Sequence, residues 1–98
     1  MAYAIRHFFP GGTQEQYDAS IEAVHGGPGA DNLPAGQILH AAGATEGGWT
    51  IVAIHDSQAS WERFRDDVLK PKLGAGIEGG FDGPPDEKAF ELYSFWTS

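Results

Sequence analysis

The sequence predicts an α+β fold: one four-stranded antiparallel sheet with two helices on a single face. Three observations predict it. Apolar and β-branched runs alternate with two amphipathic stretches in the order strand, helix, strand, strand, helix, strand. Gly/Pro-rich clusters separate the runs. The length, 98 residues, allows one domain spanning 1–98 and leaves no room for a second.

The first strand is Tyr-Ala-Ile-Arg-His-Phe-Phe, residues 3–9, stopped by Pro10-Gly11-Gly12. Thr13 stands three residues before Gln16, the spacing of a capping box. Tyr17, Ile21 and Val24 then follow at i, i+4 and i+7, one apolar stripe on a helix of three turns that His25-Gly26-Gly27-Pro28-Gly29 ends. Residues 26–36 read as a loop. Gln37 to Ala42 is a short strand, Gly43 to Gly48 a turn, and Trp49 to His55 the strongest strand in the chain, so 37–55 reads as a β-hairpin. Asp56 or Ser57 caps a second helix with the stripe Trp61, Phe64, Val68, limited by Pro71. Residues 72–80 allow a further helical turn carrying Leu73 and Ile77. Asp82 to Asp86 is a loop, and Ala89 to Trp96 the last strand.

This is the split-βαβ, ferredoxin-like order. Right-handed crossovers place the strands 4-1-3-2, with the first and third central. A sheet covered on one side should alternate apolar with polar. The third strand instead carries Thr50, Val52 and Ile54 on one face and Trp49, Ile51, Ala53 and His55 on the other. Both are largely apolar, so the face without helices is expected to be covered as well. The 14 glycines and 6 prolines leave few residues for a core. A second copy of the chain is the simplest cover, and a homodimer is expected.

Charge excludes some functions. With 14 acids against 6 bases the net charge is -8, which opposes binding to nucleic acid or to anionic membranes. Arg63, Arg65, Lys70 and Lys72 cluster, but Glu62, Asp66 and Asp67 interrupt them. There is no cysteine, hence no disulfide, thiolate metal site or Cys nucleophile; this fits a cytoplasmic protein. No signal-peptide pattern opens the sequence, and no apolar run approaches the roughly 20 residues of a spanning helix. The glycine clusters match neither phosphate-loop nor dinucleotide-binding patterns, and no nucleophile-elbow motif is present.

Phe9-Pro10-Gly11-Gly12-Thr13, together with Ile51-Val52-Ala53-Ile54-His55-Asp56-Ser57 running into Trp61-Glu62-Arg63-Phe64, resembles the dimeric α/β-barrel superfamily, specifically its antibiotic-biosynthesis-monooxygenase-like members. The resemblance in element order covers the whole chain. It implies a homodimer with a pocket between each sheet and its helices. Members include cofactor-independent monooxygenases of polycyclic aromatics, haem-degrading enzymes and lactone isomerases. Haem degradation is not implied here: the first strand holds no Asn, and Phe64 and Leu73-Gly74 stand where a Trp and a His are looked for.

Three of the four histidines fall in expected strands: His7, His40 and His55. With Thr45-Glu46 as the hairpin turn, His40 opposes Ile51 and shares a face with Trp49 and His55, while His7 falls near Trp49. A slip of one residue would reverse His40. Each is a candidate catalytic base, because imidazole titrates near 6.5 and suits proton transfer on a phenol or enol. The other reading of each is a strand-end histidine bonded to backbone or facing solvent, and a three-histidine metal site is a further option. Arg6, in mid-strand, is a candidate clamp on a substrate oxygen or one half of an ion pair. Trp49 is a candidate stacking wall for an aromatic ligand. Trp61 is expected in the core, and Trp96 at a dimer interface.

The expected function is cofactor-independent oxidation or proton-transfer isomerisation of a small aromatic or enolic molecule, with no cofactor. The alternative is a non-catalytic small-molecule binder or stress-related accessory protein.

Overall fold

The computed structural model describes residues Met1–Ser98. Strands β1 (Tyr3–Pro10), β2 (Gln37–Thr45), β3 (Gly48–His55) and β4 (Asp86–Glu91) form one antiparallel sheet in the order β2-β3-β1-β4. This is the expected order read from the opposite edge. Helix α1 (Gln14–His25) and helix α2 (Gln58–Phe64) cover one face. Helix α2 continues through a π-helical turn, Arg65–Leu69, into α3 (Lys70–Ala75).

The caps are those the sequence signals. Thr13 Oγ1 accepts the Gln16 backbone N–H while the Gln16 side chain accepts the Thr13 N–H, closing the capping box of α1. Gly26 ends α1 in the left-handed conformation at φ 81°. Ser57, not Asp56, caps α2 by accepting the Ser60 N–H. Gly36 joins the start of β2 to the start of α2. Its carbonyl accepts the Asp56 N–H at 2.8 Å, its φ is 86°, and a Cβ there would run into the Ser60 side chain.

Three boundaries differ from expectation. The helix does not stop at Pro71. Proline lacks the N–H that an α-helix would donate back to Asp67. The preceding residues widen instead, and Lys70 N–H reaches Arg65 O, five residues back. The helix thus passes through the proline, and Ile77 lies beyond its end. The last strand begins at Asp86 rather than Ala89 and ends at Glu91, so Tyr93, Phe95 and Trp96 belong to a tail. The hairpin turn is Glu46-Gly47, with Thr45 opposite Gly48, because Gly47 takes φ 84°. His40 therefore opposes Ala53 rather than Ile51. The shift is an even number of residues, so His40 stays on the expected face.

Alternation puts Ile5, His7, Phe9, Ile51, Ala53 and His55 under the helices. Ile5, Trp61 and Phe64 form the buried cluster, with Tyr3, Val24, Val68 and Leu69 packed around it. Trp61 is core, as expected, at 2% exposure. The other face carries Ala4, Arg6, Phe8, Thr50, Val52, Ile54 and Phe90. Val52 is 37% and Phe90 55% exposed.

Candidate functional site

Between the sheet and the helices lies a cavity of about 420 Å³. Phe9, Ile51, Trp61 and Phe64 give it aromatic and apolar walls, and His7, His25 and His40 reach into it. The Phe81 ring stacks on Phe9 at 3.7 Å and closes one end. A second recess of about 430 Å³ lies against β2 beneath the 27–33 loop, and Ile21, His25 and His40 form the wall between the two.

His7 is 7% exposed and sits between Phe9 and Trp61. Its Nδ1 has no hydrogen-bond partner; Glu87 Oε2, on the neighbouring strand, is 3.6 Å away. Ser20, on the α1 face of the same cavity, also has a buried hydroxyl without a partner. Buried polar groups are nearly always satisfied, so two orphans lining one cavity are a chemical signal.

The remaining histidines belong to a hydrogen-bonded chain. Tyr17 Oη lies 2.6 Å from His40 Nε2, His40 Nδ1 lies 3.1 Å from Gln37 Oε1, and Gln37 Nε2 lies 3.2 Å from His55 Nε2. His55 Nδ1 then lies 3.3 Å from Ser60 Oγ, which donates to the Ala35 carbonyl at 3.4 Å. The last link sets the direction of all the others. A carbonyl only accepts, so Ser60 donates to it and accepts from His55 Nδ1–H. His55 Nε2 then accepts from the Gln37 amide, Gln37 Oε1 accepts from His40 Nδ1–H, and His40 Nε2 accepts from the Tyr17 hydroxyl.

Burial disfavours the imidazolium throughout. Burial, with the nearby His40, holds His7 at a pKa of about 4. Burial, with the nearby His25, holds His40 at about 4. His25 and His55 are also lowered, chiefly by burial. Burial and the neighbouring Asp18 raise Tyr17. At neutral pH the site therefore holds four uncharged imidazoles and an uncharged phenol.

Of the residues singled out in sequence, His7 and His40 meet at the cavity. His55 does not: it is fully buried, with both ring nitrogens engaged, and supports the site from behind. Trp49 is not a cavity wall. It lies behind Tyr17, ring centroids 5.3 Å apart, because β1 register places it opposite Phe9 at the strand end. His7 correspondingly falls opposite Ile51 and not beside Trp49. Arg6 points to the other face, since its neighbours Ile5 and His7 take the helix face, and there it pairs with Asp86 at 3.5 Å. It cannot clamp a ligand in this cavity. No group of three or more His, Asp or Glu side chains is placed to hold a metal ion.

Gln37, Tyr17, His25, Ser20 and Glu87 were not marked by sequence reasoning. His25 could have been: it stands four residues after Ile21 and eight after Tyr17, on the same helical stripe. Gln37 carried no signal, because its orientation depends on an irregularity in β2.

The sheet order, with both helices on one face, defines a ferredoxin-like α+β domain. Among solved structures the chain is similar to Rv0793 from Mycobacterium tuberculosis, with a TM-score of 0.66, 12% identity, and 98% of each chain covered. At that identity the likeness shows the fold alone. No family model matches the sequence, and no curated protein matches it. No helix is long and apolar enough to cross a membrane.

Proposed function

We propose that this protein is a small antibiotic-monooxygenase-like enzyme that binds a planar phenol or enol in the aromatic cavity and removes its proton without a cofactor. The observation that carries this reading is the pair of unpartnered polar groups, His7 Nδ1 and Ser20 Oγ, buried beside the aromatic walls of a cavity whose lining is half apolar. They supply hydrogen bonds to one ligand hydroxyl while the rings of Phe9, Trp61 and Phe64 hold its plane.

The magnitudes restrict the substrate. An imidazole of pKa about 4 faces a deficit of about 8 kcal/mol against an ordinary phenol near 10. The Glu87 carboxylate, 3.6 Å from the same Nδ1, favours the imidazolium through its charge alone and narrows that deficit. Activated phenols and enols, whose own acidity covers the rest, are the class that fits. The anion then reacts with dioxygen. A ring C–H becomes a carbonyl, one oxygen atom stays in the product, the other leaves as water, and the substrate supplies all four electrons. For an enol without dioxygen, return of the same proton from His7 to the enolate carbon gives the keto isomer.

The test uses 1-naphthol and its O-methyl ether in titration calorimetry at pH 7.5. The naphthol is expected to bind about tenfold more tightly than the ether, the worth of one buried hydrogen bond. In His7→Phe the preference should disappear. Equal binding of both compounds to the native protein would overturn the reading. Naphthol binding with neither dioxygen uptake nor isomerisation of an enolic probe would instead establish the non-catalytic binder.

The reading includes a homodimer through the open sheet face. Val52 and Phe90 are exposed on that face, and the tail adds Tyr93 at 100% and Trp96 at 89% exposure. Light scattering on the eluted protein is expected to give twice the 10.5 kDa of one chain. V52R/F90R should elute as a single chain. A native mass of one chain at micromolar concentration would remove the dimer from the proposal.

A further inference from the structure

Gln37 and His40 are three residues apart in one strand, so regular alternation would send them to opposite faces. Both nevertheless point under the helices, and they bond to each other at 3.1 Å. The reason is a β-bulge. Gln37 pairs with His55 and Leu39 with Ile54, so Ile38 is an extra residue, and its side chain is 52% exposed. The bulge resets the parity of β2. It places a buried primary amide, 7% exposed, between the buried His55 imidazole and the half-buried His40 imidazole. An amide has one accepting and one donating end. Whichever imidazole meets the oxygen must present N–H, and whichever meets the nitrogen must present a lone pair.

We propose that Gln37 is the positioning residue of this site, and that the Ile38 bulge exists to place it. Oriented by the Ser60–Ala35 link, the Gln37 amide holds His40 and His55 as Nδ1–H tautomers, so that His40 Nε2 is a permanent acceptor for the Tyr17 hydroxyl. Tyr17 then has its lone pairs free toward the recess beneath the 27–33 loop. A ligand hydroxyl there gives its proton to Tyr17 Oη as the Tyr17 proton passes to His40 Nε2. The ligand O–H breaks with its electron pair retained on oxygen, the phenol O–H re-forms, and a new N–H stands on His40. The imidazolium formed keeps its Nδ1–H bond to Gln37 Oε1. This relay lies in a different recess from the His7 cavity proposed above and shares only its proton-transfer chemistry; the tautomers depend on neither.

The test is the tautomer of each ring, read from two-bond ¹H–¹⁵N correlations on ¹⁵N-histidine-labelled protein at pH 7.5 without ligand. Native His40 and His55 are both expected as Nδ1–H. In Gln37→Glu a carboxylate only accepts, so His55 should switch to Nε2–H while His40 keeps Nδ1–H. Deleting Ile38 restores alternation, turns Gln37 outward and should leave His40 a mixture of tautomers. Native His40 or His55 predominantly Nε2–H would overturn the proposal, even if neither variant folds. So would a folded Gln37→Glu protein whose His55 remains Nδ1–H. Because no ligand is used, failure of naphthol binding and failure of the tautomer lock are separate results.

Discussion

Replacing Trp61 with alanine is expected to cost about 3–5 kcal/mol of folding stability, the usual loss for emptying a buried aromatic site. Trp61 is 2% exposed and lies at 5.6 Å from both His7 and His55 and 6.2 Å from Phe64, ring centroid to centroid. It is one of only three side chains in the buried cluster. A domain of this length has about 5–15 kcal/mol in total, so the substitution takes a large share of it. Urea denaturation with constant m-value measures the loss. Trp61→Phe should recover more than half of it. A loss below about 1 kcal/mol, the size of an ordinary substitution, would mean that the sheet–helix layer is not what holds the fold.

Acid is the second large effect. His7 falls from the ordinary 6.5 to about 4 on folding, and so does His40. The unfolded chain therefore binds protons that the folded chain refuses. Stability is full above pH 6.5 and is lost progressively as pH falls from 6.5 to about 4. Within that window each such histidine contributes a slope of about 1.4 kcal/mol per pH unit. For His7, which is almost wholly buried, the total is about 3 kcal/mol. His40 is more accessible and contributes less. The urea midpoint should fall steeply between pH 7 and pH 5, and less steeply in His7→Phe. A midpoint that does not move over that interval would show that these rings are not held neutral by the fold.

Much of the architecture was legible because it rests on local chemistry. The capping box at Thr13, the glycine stop at Gly26 and the apolar run of β3 each have a short-range cause, and together they fix the element order. The parts that were not legible depend on longer range. β4 opens with Asp86-Glu87-Lys88, a charged segment that is a strand only because β1 pairs with it. Pro71 reads as a stop, and only the π-helical turn before it lets the helix continue. At the site, His7 and His40 were found by residue type and parity. Arg6 and Trp49 were placed at the wall of a pocket that register puts elsewhere. Gln37 was invisible, since nothing in Gln-Ile-Leu-His announces a bulge, and without one Gln37 and His40 cannot meet.

The sheet order has a consequence for how copies of this chain can associate by strand addition. Its two rims are chemically unlike. β4 presents Asp86, Glu87, Lys88 and Glu91 within one short strand, all exposed, a rim that repels an incoming strand. β2 carries no formal charge from Gln37 to Thr45, and beyond the bulge at Ile38 its backbone runs regularly through Ala41, Ala42, Gly43 and Ala44. Edge-to-edge growth therefore has one competent end. Two copies joined through β2 would display only β4 at both extremities, so the same asymmetry that leaves one edge vulnerable also caps the product at a pair and denies it a fibre.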